Sequence, residues 1–180
     1  MAIIYTTGDG LAYSTADGAL LIFDRATDLI TDRTLEDVLR WKELHDKGWE
    51  AMTAEEQSEW LGGMKGSYNY TDMNRVESAV EELKRRFWEK GTKLSLVTKT
   101  DWARTDWPTK ADLARYFHNV SEIRGAVVVD LKTPAVPTTG KLFDYKIAND
   151  IETILLAVNS WLNKVDSSQM YSGDLYLGEV

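Results

Sequence analysis

Three observations predict a mainly α fold, a helical bundle of three long amphipathic helices plus two shorter helices, with small β arms at the termini. Apolar residues recur at steps of three and four in three separate stretches, capping-type residues stand in front of them, and glycine or proline closes the intervals between them. The clearest stretch is YNYTDMNRVESAVEELKRRF, residues 68–87. There Met73, Val76, Val80, Leu83 and Phe87 fall on one stripe, while Glu77, Glu81, Lys84 and Arg85 lie off it. Thr71 is the expected cap, Asp72 adds negative charge at the positive end of the helix dipole, and Gly91 is the expected stop.

The same grammar recurs twice. Setting Asp72 over Asp112 and Asp150 brings Met73 over Leu113 and Ile151, and Val76 over Tyr116 and Ile154. It also brings Val80 over Val120 and Val158, and Leu83 over Ile123 and Trp161. The starts are roughly forty residues apart, the length of a helix with a long connection. Arg75 matches Arg115, but Thr153 stands there in the third copy, so the repeat is one of pattern more than of identity. If the three stripes face one another, Val80, Val120 and Val158 share one core.

In chain order, two short apolar runs, 3–5 and 19–23, are separated by GDG and ADG turn signals, so residues 1–33 read as an N-terminal β arm or hairpin. Residues 34–180 read as a helical domain with three pattern repeats and a C-terminal β tail. A first short helix is expected from Thr34, with Leu35, Val38, Leu39 and Trp41 on its face, ending near Gly48. Thr53 and Glu56 have the spacing at which each side chain satisfies the other's backbone amide, and the second short helix ends at Gly62-Gly63. Residues 94–97 alternate and fit an edge strand or an extended link. Thr109 with Asp112 opens the second copy, which runs to about Gly125. Pro134 and Pro137 exclude regular helix from TPAVPTTG, which reads as a stiff connection. The third copy, roughly 146–165, is the most apolar, and the tail MYSGDLYLGEV reads as a closing strand that pairs with the N-terminal run.

Composition narrows the function classes. With 43% hydrophobic and 28% charged residues in 180, the chain has ordinary globular usage and enough length for a real core. A net charge of −8 opposes binding to a phosphate backbone, so nucleic acid is not an expected partner. Without Cys there is no disulfide framework, thiolate site or Cys nucleophile. Met1 is followed by AIIYTTGDG, without a basic leader or long apolar run, and no apolar run of about 18 residues occurs. The chain is therefore expected to be soluble, made in the cytoplasm and without a membrane partner.

No motif marks a catalytic centre. His45 and His118 have no second ligand at metal-site spacing, and His118, beside the second stripe, is expected to be a partly buried structural residue. No GxSxG elbow, GxGxxG loop or P-loop is present, so no catalytic residue, cofactor or metal site is assigned. Asp101, Asp106 and Asp112 miss the spacing of a calcium loop and are better read as caps and solvated charges. Four residues remain as candidate partner or glycan contacts. Arg75 and Arg115 suit a bidentate grip on a carboxylate, either a partner's or one inside the bundle. Trp102 and Trp107 flank a loop and suit stacking on sugar rings, or packing over the bundle.

GMKGSYNYTDMNRVESAVEEL resembles the MKGaYN-x-tDLNRVE-x-AV segment of tail-fibre, baseplate-associated and other minor structural proteins of phages and prophages of Gram-positive bacteria. The stretches ITDRTLEDV, KGW with MTAEEQSEWL, KTDWARTDWPTKADLARYFHNV, TPAVP with ANDIETIL, and MYSGDLYLGEV are similar to blocks that accompany it, and together they cover about residues 30–180. The second copy departs from the pattern at Ala114, and the third keeps only Asn149 to Glu152. The resemblance implies a virion structural protein without catalytic residues, acting in tail assembly and host attachment. Other tail proteins and further copies of the chain are the partners expected with it, and Trp102 and Trp107 add a host-surface glycan as a further candidate. A carbohydrate-binding module is the alternative, and a glycosidase using a carboxylate pair comes third.

Overall fold

The computed structural model describes residues 28–138 and 143–174, with side chains in the last helix as far as Ser168, and the backbone of three short strands upstream. The chain is mainly helical, with five α-helices among the described residues. Strands β1 (Ile4–Thr7), β2 (Gly10–Ser14) and β3 (Leu20–Leu21) pair antiparallel in that order, with Ile4 opposite Tyr13 and Tyr13 opposite Leu21.

Helix α1 (Leu35–Lys47) and helix α2 (Ala54–Gly62) each begin in a reciprocal cap, Thr34 with Asp37 and Thr53 with Glu56. Gly48 and Gly63 follow them at φ 76° and 87°, backbone that glycine adopts at little cost. Both boundaries match the sequence expectation. The burial on α1 does not: Leu35 and Leu39 are exposed, and Leu44 is the helix's buried residue. Gly66, in the loop after α2, lies so close to α1 that a Cβ would fall 2.0 Å from the Asp37 carbonyl oxygen. Only glycine permits that approach.

Helix α3 (Tyr70–Glu89) starts two residues earlier than expected. Asn69 is its cap and accepts from the Thr71 amide at 2.8 Å, while Asp72 accepts from the Asn69 amide at 2.9 Å. Thr71, the expected cap, sits inside the first turn because Asn69 already supplies the acceptor. Gly91, at φ 80°, ends the helix as expected. Residues 94–97 form an extended link without a ladder partner, since their polar backbone is taken by side chains. Asn119 Nδ2 donates to the Val97 carbonyl and Lys84 Nζ to that of Leu96.

Helix α4 (Lys110–Gly125) opens in the Thr109–Asp112 cap, and helix α5 (Tyr145–Asp174) opens at Asp144, which accepts from the Ile147 amide. The core draws Met73, Val76, Val80, Leu83 and Phe87 from α3, Tyr116, Phe117, Val120 and Ile123 from α4, and Ile151, Ile154, Leu155, Val158 and Leu162 from α5. Val80, Val120 and Val158 are all buried in it, as the aligned stripes require. The register of the repeat holds at the centre of the stripes, is looser at Leu113 and Trp161, which are only partly buried, and fails for the caps. Asp72 and Asp112 both stand three residues after a cap, whereas Asp150 stands six after Asp144. A stripe depends on the 3.6-residue period and not on where the first turn begins.

Two further expectations change. His118 is exposed, because its neighbours Tyr116, Phe117, Asn119 and Val120 occupy the inward face of α4. The expected C-terminal β tail is helix as far as Asp174: an established helix propagates one hydrogen bond per residue, and Gly173 alone costs only about 1 kcal/mol. Residues 175–180, and any pairing of the tail with the N-terminal run, lie outside the described residues.

Candidate functional site

The segment Asp72 to Glu77 makes the densest set of polar contacts to distant parts of the chain. Asp72 caps α3 with Oδ2, and its Oδ1 accepts from Arg33 Nη2 at 2.9 Å. Arg33, 3% exposed, also reaches Glu152 on α5 at 2.8 Å, and its backbone amide donates to Asn149 Oδ1 at 3.1 Å. Arg75 joins the same pair of carboxylates, Asp72 and Glu152. Four charges, two of each sign, therefore sit together where α3, α5 and the segment before α1 meet. Their mutual pairing offsets the cost of taking them out of water.

The alternate residues bind in the other direction. Asn74 brackets the backbone of Trp102, donating to its carbonyl at 2.9 Å and accepting from its amide at 2.8 Å. Glu77, with no exposed surface, receives both guanidinium arms of Arg115 at 2.6 and 2.9 Å and the Lys99 amide at 3.2 Å. Beside them, Met73 and Val76 point into the core. Every side chain from Asp72 to Glu77 thus holds another element in place. Arg75 and Arg115, candidates for a partner's carboxylate, are occupied by carboxylates of this chain. In Arg115 the Glu77 hydrogen bonds raise the pKa; in Arg75 burial opposes the charge, and the Glu152 and Asp72 carboxylates outweigh it.

The two candidate tryptophans separate. Trp102 is 4% exposed, with Lys99 Nζ 3.9 Å from its ring centroid, so its ring packs within the core. Trp107, five residues on, is 87% exposed. Both line a half-open groove of about 1020 Å³ between the α1–α2 corner and the face of α3 and α4. Trp41 and His45, one turn apart on α1, stand 5.1 Å apart by ring centroid, and His45 stands 6.5 Å from Trp60 of α2. Tyr68, Tyr70, Tyr116, Phe143 and Tyr145 add further rings to the wall.

Tyr68 and Tyr116 join hydroxyls at 2.5 Å behind this wall, and burial pushes both phenols above their ordinary range. Trp41 was expected only as a face residue of the first helix and Trp60 was not assigned a contact; the signals for a shared role were the count of seven tryptophans and the one-turn spacing from Trp41 to His45. Asp106 is held by Lys99 and the Ala103 amide, and Asp112 by its cap, so those carboxylates serve local structure. Among the described residues, no three His, Asp or Glu side chains gather as a metal site would require. No described helix is long and apolar enough to cross a membrane. No protein-family model, curated protein or solved structure matches the chain.

Proposed function

We propose that the chain is a non-enzymatic structural component of a phage or prophage tail, in the fibre or baseplate, acting in assembly and in attachment to the host. One observation carries the reading: the DMNRVE segment that bears the resemblance spends each of its six side chains on joining distant elements of the fold. Residues used that way preserve a shape, which is what a structural component needs. In this reading α3, α4 and α5 form a three-helix bundle, α1 and α2 are a shorter pair docked on it, and the N-terminal β arm contacts copies of the chain or neighbouring tail proteins.

Exposed apolar side chains on the bundle's outside, Trp88, Val128 and Leu131 among them, supply contact surface. Sedimentation of the purified chain, alone and mixed with tail proteins of the same particle, tests the proposal. Concentration-dependent self-association or a mixed complex is expected. A strict monomer at every concentration, with no affinity for tail proteins, overturns it. The carbohydrate-binding reading is favoured by a separate observation, the aromatic groove.

A further inference from the structure

We propose that the groove between the α1–α2 corner and the bundle binds an oligosaccharide, with pyranose rings stacked on Trp60 and Trp107 and hydroxyls meeting the guanidinium of Arg104. The inference goes beyond the assembly reading and does not require it. Aromatic rings outnumber aliphatic side chains along the groove wall. Flat rings suit a ligand with an apolar C–H face and a polar edge, whereas an apolar helix needs deeper aliphatic pockets. At about 1020 Å³, the groove stands at the upper end of the range for small-molecule sites and is larger than one sugar ring needs.

Trp107 stands almost fully in solvent at this groove, a costly place for an indole unless something covers it. Arg104 makes no hydrogen bond or ion pair among the described residues, so its five donors are available. Trp107 and Arg104 therefore place an uncovered indole and an unpaired guanidinium on one wall of the groove.

The test is an array of bacterial cell-wall oligosaccharides, with a library of apolar peptides beside it, probed with the wild-type chain, Trp107→Ala and Trp88→Ala. Trp88 is an exposed tryptophan that does not line the groove. Binding to one oligosaccharide class is expected, weakened roughly tenfold or more by Trp107→Ala and unchanged by Trp88→Ala. Equal melting curves for the three proteins establish that the loss is not unfolding. If Trp107→Ala melts lower, acrylamide quenching of wild-type fluorescence replaces it, and saturating oligosaccharide must then shield a tryptophan. No oligosaccharide bound, binding indifferent to Trp107→Ala, no shielding, or binding to peptides alone overturns the proposal. Failure in sedimentation with tail proteins leaves this result standing, and the reverse also holds.

Discussion

The α1–α2 corner and the α3–α5 region are built by different physics. In the α3–α5 region, most stripe residues are buried, and two of the carboxylates that join the helices are buried with them: Glu77 and Glu152 have no exposed surface. In the corner, Leu44 and Met52 are the buried apolar residues, and the joints are exposed caps and ion pairs such as Arg40 with Glu59 and Lys47 with Glu56. Buried joints fail expensively, because the partner left behind is a charge without water; exposed joints fail cheaply, because water takes the partner's place. The groove lies where the two regimes meet.

The comparison breaks first at Val80. Val80→Asp puts a carboxylate beside Val120 and Val158, with no cation in the stripe, and costs at least several kcal/mol of the roughly 5–15 a domain has. Loss of the cooperative thermal transition is expected in circular dichroism. A small shift in melting temperature would show that the stripe at Val80 is not core.

Next in size is a pair of matched positions. Asp72→Ala removes a cap and also a partner of the buried Arg33, and is expected to cost about 3–4 kcal/mol. Asp112→Ala, at the same place in α4, removes a cap in a solvated setting and should cost clearly less. Urea titrations of both measure the gap. Equal midpoints would mean that the buried cluster adds nothing to the cap.

These two aspartates also show what could be read from the sequence. Two caps were legible because their signals are local: Thr53 with Glu56 and Thr109 with Asp112 each lie three residues apart, whereas the α3 cap at Asn69 was hidden by Thr71 beside it. The stripes were legible for the same reason. The second use of Asp72 was not, since Arg33 lies 39 residues away and nothing near either residue marks the pairing. Trp102 and Trp107 looked alike in sequence, yet one is buried because Asn74, 28 residues earlier, clamps its backbone. The groove is a product of how α1 and α2 dock, through the close approach at Gly66, and no local pattern records it.

Acid and alkali should separate the regions more gently. The Thr34 backbone amide and hydroxyl lower the pKa of Asp37, and Lys47 with the Thr53 amide lowers that of Glu56. A depressed folded pKa gives stability that is present above the unfolded values, 3.8 and 4.5, and is lost as pH falls through the folded ones. The corner should therefore loosen below about pH 4.5. Tyr68 and Tyr116 are raised above 10.0, so their contribution is intact below that pH and is lost as pH rises through the folded values. Alkali should weaken the α3–α5 region. Hydrogen exchange at pH 4 against thermal melts from pH 9 to 11 tests both arms; a corner that gains protection on acidification, or melting that is flat through the alkaline range, contradicts the assignment.

The smallest expected effect is the sharpest test of the division. Arg40 spans the corner, with Nη1 2.9 Å from Glu43 on its own helix and Nη2 2.8 Å from Glu59 on α2, and its side chain is substantially exposed. Arg40→Ala should change global stability only slightly, because both carboxylates return to water and the pair is screened by salt. It should nevertheless lower hydrogen-exchange protection across α1 and α2 while leaving α3 to α5 unchanged, since local opening needs only the joints of the element that opens. High salt on the wild type should reproduce the pattern. If Arg40→Ala instead lowers the melting temperature as far as Asp72→Ala does, the corner and the α3–α5 region unfold as one unit, and the exposed joints carry the same weight as the buried ones.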